Sequence, residues 1–339
     1  MNSCTGLQVG VVGNGLSALA AAHFVQKAGH RATLLETDHG DVRLGRTFKF
    51  GPSRFDQFFQ FISEQDSELL ALLNELEIEE NLQWFPSPRR KKFWPIRQPK
   101  VAMSVGLPET MKVALRSRLQ VHKVSAAMDM TESDCSIDVR TDCGTRRFDA
   151  IVATLPLDQL EDLASGETAQ EMPRIHARLQ TSVSVVFISS APLWKKHSTF
   201  VVSDHMPFHS VSATTDVVSK LCAINVCGYS DSSDVELKIL ALRLLSENFA
   251  EFQPSNVEAV RVFRYSNHIP VFEPEDHHKR IIARVGESRL FLASRELGSG
   301  LPVCLNTDVL LAREAVDAFV ECAPTFVSGG RQAAHAAGR

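Results

Sequence analysis

The residues whose spacing alone could do chemistry sit near the start of the chain, where Gly13-Asn14-Gly15-Leu16-Ser17-Ala18 spells Gly-x-Gly-x-x-Ala. Gly13 allows a tight turn, Gly15 leaves no Cβ in the path of a phosphate, and Ala18 lets a helix lie close on a strand. The amide groups of Leu16 and Ser17 then open a helix whose positive dipole end faces the anion. Glu36 lies 21 residues beyond Gly15. There a carboxylate accepts hydrogen bonds from ribose hydroxyls and would repel a 2′-phosphate. The alternative is a strand–helix turn with incidental glycines. A second stretch, Glu296 followed by Gly298-Ser299-Gly300-Leu301-Pro302, would let the backbone approach another part of the same ligand. Standing alone it would be read first as an ordinary Gly-rich turn before a helix.

These residues need elements to position them. Leu7–Val12 is short, apolar and β-branched, and ends at Gly13, which reads as a buried parallel strand. Leu16–Lys27 carries helical spacing with Gly29 as its stop, and Arg31–Glu36 reads as the next strand. Together they make a βαβ unit. Further on, Ser67–Leu76 reads as an amphipathic helix, and Leu82–Lys100 as a Pro-rich, basic, aromatic loop or short strands. Leu119–Val124, Ser136–Thr141 and Arg147–Leu155 read as strands, with Asp142-Cys143-Gly144 as a hairpin turn. Thr181–Ser189, Val257–Tyr265 and Leu290–Ala293 are further expected strands. Helices are expected over Val235–Phe249 and Thr307–Glu321, and a frayed tail from Ala323.

Bulk properties narrow the class. The chain has 339 residues, 44% hydrophobic and 22% charged, as in soluble globular proteins. A net charge of -4 leaves no basic footprint for nucleic acid. The seven cysteines are scattered without metal-ligand spacing, so free thiols in a reducing compartment are expected and no metal site. There is no signal-like segment and no apolar run long enough to span a bilayer. These features imply a cytoplasmic location without stable membrane insertion.

Several motifs together resemble the flavin amine oxidase and protoporphyrinogen oxidase superfamily. VGVVGNGLSALAAAHFVQKAGHRATLLE is similar to its N-terminal fingerprint, and Asp41-Val42-Arg43-Leu44-Gly45-Arg46-Thr47 resembles its second motif. Gly51-Pro52-Ser53-Arg54-Phe55 resembles the segment passing beside the flavin ring, and Val124 takes the position whose backbone meets adenine. RRFDAIVATLPLDQL resembles the returning strand, and SRLFLASRELGSGLPVCL the C-terminal flavin motif. The resemblance implies an α/β fold: a Rossmann-type FAD-binding domain intergrown with a reduced α+β substrate domain. It assigns residues 1–60, 101–160 and 255–325 to the first, 61–100 and 161–254 to the second, and 326–339 to a flexible tail.

It implies FAD as cofactor, held by Gly13, Asn14, Gly15, Leu16, Ser17, Glu36, Gly45, Arg46, Thr47, Gly51, Pro52, Ser53, Arg54, Val124, Glu296, Gly298, Gly300, Leu301 and Pro302. The implied activity is hydride transfer from a C–H of a small molecule, next to nitrogen, to flavin N5. Such chemistry needs a dry, oriented pocket more than an acid–base pair, and no catalytic motif stands out. Arg54, Tyr265 and His268 are the candidates beside the ring, each with a packing or ion-pair alternative. Lys220 is a further candidate for a lysine near N5, without a local motif. The chain departs from the pattern in three places. Leu44 stands for a glycine, Ser294 stands for another, and only about ten residues separate the basic-aromatic loop from Gly106-Leu107-Pro108, where family members carry a long insertion. These departures keep open a non-catalytic FAD-binding protein.

Overall fold

The computed structural model describes residues 6–13, 15–36, 47–58, 62–85, 101–103, 106–119, 125–133, 135–173, 177–193, 198–201, 207–216, 218–272, 283–297 and 304–336. The chain opens with β1 (Gln8–Val12), α1 (Leu16–Lys27) and β2 (Arg31–Glu36), then a hairpin of β3 (Thr47–Phe50) and β4 (Ser53–Asp56). A small sheet of β5 (Ile62–Ser63), β6 (Gln83–Phe85) and β7 (Val101–Met103) is interrupted in sequence by α2 (Ser67–Glu75). After α3 (Leu107–Arg118) come β8 (Ser125–Ser133), β9 (Ser136–Thr141), β10 (Gly144–Phe148) and β11 (Ala150–Ala153). The short α4 (Leu157–Leu163), β12 (Ala164–Ser165) and α5 (Glu167–Glu171) follow. The second sheet uses β13 (Ala177–Ser189), β14 (Ser198–Val201), β15 (Phe208–Thr215), β16 (Cys222–Tyr229), α6 (Asp234–Asn248) and β17 (Val257–Phe272). The chain closes with β18 (Leu290–Leu292) and α7 (Leu305–Ala336).

The first sheet runs β10-β9-β8-β2-β1-β11-β18, with β12 beside β8. Its centre, β8-β2-β1-β11-β18, is parallel, and β9 and β10 add an antiparallel edge. Val12 is level with Leu35 on β2 and with Ala153 on β11, which is level with Leu292 on β18. The C-terminal ends of four segments therefore meet at one edge, where ligands of such sheets bind. Helix α1 is buried along Leu16, Ala18, Leu19, Ala20, Ala21 and Ala22. Its alanines let it lie close to the sheet, while Arg313 of α7 stacks 4.2 Å from the Phe24 ring and pairs with Glu68 of α2.

The second sheet, β14-β15-β16-β13-β17, is antiparallel throughout. One face carries Val183, Val185, Phe187, Ile224 and Val226 into a core with Leu237, Ala241 and Leu245 of α6. Helix α6 begins with a capping box of Ser233 and Glu236, a reciprocal bonding of two orphan amide groups. The other face meets the β3–β4 hairpin, with Phe48, Phe50 and Phe55 against Val186, Ile188 and Ala223.

The parallel sheet and the antiparallel second sheet agree with the expected α/β architecture. Several elements differ in extent. Arg147–Leu155 is not one strand: the chain turns at Asp149, so that β10 edges the meander and β11 enters the parallel centre. The strand expected over Leu119–Val124 falls largely outside the described residues; Leu119 is the C-cap of α3, and the next described strand is β8, Ser125–Ser133. Val257–Phe272, grouped by the resemblance with the cofactor-side segments, pairs with β13 in the second sheet. The closing helix also runs past Glu321 to Ala336. Phe326, expected to lie in a frayed tail, is 8% exposed and packs on Phe291 with the Arg289 guanidinium 4.2 Å from its ring. The reason is apolar periodicity that continues through Phe319, Ala323 and Phe326 despite Pro324.

Candidate functional site

At the edge of the parallel sheet the chain leaves β1 through Gly13, whose φ is 138°, a conformation that L side chains avoid. Its N–H donates to the Leu35 carbonyl at 2.9 Å, and Thr154 N–H donates to the Val12 carbonyl at 2.9 Å. A Cβ on Gly13 would lie 2.1 Å from Thr154 Oγ1 and 3.4 Å from the Ala18 Cβ. Position 13 must be glycine because β1, α1 and the turn after β11 close on it from two sides.

Gly15 does a different task. Its φ of −83° is ordinary, and a Cβ there would meet nothing within 4 Å. Among the described residues nothing fills the space a Cβ there would take, and the N-cap residue makes no side-chain hydrogen bond to the helix. Its first-turn N–H groups are thus left for an external acceptor. Leu16 is buried and Ser17 half-buried beside them. Glu36 ends β2 at this same edge, level with Ala126 of β8; its side chain, like that of His268 on β17, is not among those described. A tight turn, an open approach and uncapped helix amides fit a dinucleotide pyrophosphate.

Beside this cradle, β18 leads into Ser294 and Glu296, both buried. The Ser294 hydroxyl donates to one oxygen of Glu296, and the Leu157 N–H donates to the other at 3.3 Å. Burial pushes the Glu296 carboxyl up, against the hydrogen bonds that favour its charged form. Both oxygens are thus engaged by protein partners, and Ser294 in place of glycine supplies one of them. Next to it, Arg295 holds Asp308 of α7 through Nε to Oδ1 at 2.6 Å.

The Gly51–Phe55 segment becomes the β3–β4 hairpin, with Gly51 (φ 57°) and Pro52 at its exposed turn. From Ser53 to Phe58 it runs as a strap across the second sheet. Ser53 donates its hydroxyl to Ser219 Oγ at 2.7 Å, and Asn225 Nδ2 donates to the Asp56 carbonyl at 3.4 Å. Tyr265 donates its hydroxyl to Gln57 Oε1 at 3.2 Å and sits edge-on to Phe58, 4.5 Å between centroids. Tyr265 is therefore brought to the strap. Arg54 points away on the exposed side, level with Lys49 of β3, and Thr47 opens the hairpin, half-buried. Lys220 lies on an exposed turn between β15 and β16 with φ 63°, so it does not project from the sheet face.

Asp56 was not visible as a site residue from sequence. Its carboxylate accepts the Gly106 N–H at 2.9 and 3.1 Å, and Gly106 is the αL N-cap of α3. Desolvation by burial raises its pKa to about 7, and the Gly106 hydrogen bond only partly opposes this. Asn225 and Thr154 were equally unmarked; Asp56 is buried where the alternation of SRFD would expose it, so strand periodicity carries no signal for it. Asn14, Gly45, Arg46, Val124, Gly298, Gly300, Leu301 and Pro302, along with Leu44, lie outside the described residues.

No protein-family model matches the chain. Among solved structures, one similar to it is a protein assigned as a protoporphyrinogen oxidase, from Exiguobacterium sp. 255-15. It is 14% identical with a TM-score of 0.69, over 94% of this chain and 99% of that one. Putrescine oxidase with putrescine bound is 12% identical, TM-score 0.69, over 92% and 98% of the two chains. Cyclohexylamine oxidase from Brevibacterium oxydans IH-35A is 10% identical, TM-score 0.65, over 93% and 99%. At these identities the likeness is one of fold, and it takes in both sheets. No helix among the described residues is long and apolar enough to cross a membrane.

Proposed function

We propose that this chain, which has the fold of the flavin amine oxidases and protoporphyrinogen oxidases, is an FAD-dependent oxidoreductase acting on a small molecule. The observation that carries this reading is the cradle at the parallel-sheet edge: Gly13 closed against Thr154 and Ala18, and Gly15 open beneath uncapped helix amides. That arrangement suits a pyrophosphate, and Glu36 at the end of β2 suits an unphosphorylated ribose. The likeness in fold to two amine oxidases favours FAD over a nicotinamide dinucleotide. When bound, FAD supplies a two-electron acceptor at N5 for a hydride leaving a C–H next to nitrogen.

The chain's own residues bind, orient and exclude water. The first turn of α1 donates N–H groups to phosphate, and Glu36 accepts from ribose hydroxyls. Gly45, Arg46, Thr47 and Val124, with Gly298, Gly300, Leu301 and Pro302, complete the cofactor contacts the motifs imply. In this reading the strap through Ser53–Phe58, which holds Tyr265 through Gln57 and Phe58 and packs Phe48 and Phe55 on the second sheet, shields the substrate side from water. A dry pocket strengthens each polar contact within it.

The visible spectrum of the purified protein tests the reading. Absorbance with flavin maxima, or uptake of added FAD, is expected; a colourless protein that takes up none overturns it. Anaerobic bleaching by an added amine distinguishes an oxidase from a passive FAD-binding protein, the reading favoured if a yellow preparation is never bleached.

A further inference from the structure

Strand alternation divides the second sheet into an apolar face against α6 and a face that changes character along its length. Where the β3–β4 hairpin covers it, this second face is apolar, with Val186, Ile188 and Ala223 under Phe55. Beyond Asn225 it becomes polar: Ser212 is level with Asn225, Ser184 with Cys227, and Ser182 with Tyr265. Cys227 Sγ donates to Ser184 Oγ at 3.6 Å. Ser182 is 4% exposed and Asn225 2% exposed, yet Ser182 Oγ and Asn225 Oδ1 have no hydrogen-bond partner among the described residues. Two unmet oxygens on one face of one sheet are costly to keep.

The same face is nearly free of charge. Among its described residues Arg261 is the charged one; it is level with Val186, in the same row as Asn225 but two strands away on β17, and it is exposed. Asp56 gives the face its carbonyl and turns its carboxylate to Gly106. An ammonium or carboxylate group placed beside Ser182 and Ser184 would lose its water and find no counter-ion among the described residues level with them. A neutral group that donates a hydrogen bond would satisfy the Asn225 carbonyl, and the Ser182 hydroxyl can either donate or accept.

We infer that this polar half-face is the substrate wall and that it selects an uncharged, hydrogen-bonding molecule, with Asn225 and Ser182 as its specificity-determining residues. The inference rests on the oxidoreductase reading for its place in a reaction, but the binding it describes is measurable without one. The Tyr265–Gln57 hydrogen bond spans the row of Ser182 and is the contact a ligand displaces to reach it.

Three probes with the same ring and different charge test this: benzamide, benzamidine and benzoate. Their binding is measured by thermal shift on the FAD-free chain and by flavin absorbance on the loaded one. Benzamide is expected to bind at least tenfold more tightly than either charged probe, and Asn225→Leu to raise its Kd at least tenfold. Should Asn225→Leu fail to fold, Ser182→Ala is expected to raise the benzamide Kd threefold or more. Tighter binding of benzamidine or benzoate overturns the inference, as does absence of binding by all three or an unchanged benzamide Kd in both variants. Failure to take up FAD overturns the oxidoreductase reading alone, because the thermal shifts of the FAD-free chain still report on the wall.

Discussion

Both oxygens of the Asp56 carboxylate accept the same Gly106 N–H, at 2.9 and 3.1 Å, so the strap and the start of α3 are joined through one buried acid. Burial raises the Asp56 pKa to about 7, while in the unfolded chain it titrates near 4. The native state therefore holds its proton over a range where the unfolded state has released it. Stability from this group is complete below about pH 4 and is lost as pH rises to about 7, by at most about 4 kcal/mol. Urea midpoints from pH 4 to 8 should fall more steeply for the wild type than for Asp56→Asn, whose side-chain carbonyl can still accept from Gly106. Parallel profiles would show that Asp56 titrates normally.

The Gly13–Thr154 contact makes a second prediction. Gly13→Ala adds a Cβ 2.1 Å from Thr154 Oγ1 in a backbone conformation strained for alanine. The strain costs about 1–2 kcal/mol and the overlap about 1–3 kcal/mol more. Thr154→Ala should restore the overlap component and leave the strain. Thermal melts of the two single variants and the double variant check this; strict additivity would count against the contact.

Loss of the Glu36 carboxylate addresses the ribose contact. Glu36→Ala is expected to weaken FAD retention by about 1.5–3 kcal/mol, the worth of hydrogen bonds to a charged group. Equilibrium dialysis against free FAD reads this directly, and unchanged retention would place the ribose elsewhere.

The last turns of α7 are the place to test the C-terminal helix. Phe326 packs on Phe291 and beneath Arg289, so Phe326→Ala should destabilise the fold by about 3 kcal/mol. A variant as stable as the wild type would mean that the chain frays from Ala323 after all.

By itself the sequence determined the elements whose signals are local. Leu7–Val12, Leu16–Lys27 and Arg31–Glu36 were legible because a buried strand, an alanine-rich helix and a glycine turn follow one another within a few residues. The role of Gly13 was legible for the same reason. Other features depend on partners far away in the chain. That β10 and β11 are separate strands is decided by pairing β11 with β1, about 140 residues earlier. That β17 belongs to the second sheet is decided by its pairing with β13. Only the tertiary structure could decide what Ser294, Asp56 and Asn225 do, because a polar side chain takes its meaning from what burial leaves beside it. Ser294 looked like a lost glycine until it met Glu296. Asp56 was one acid among many until Gly106 and desolvation gave it a pKa of about 7. Asn225 reads as one polar residue in an apolar strand, and folding alone leaves its carbonyl buried and unmet.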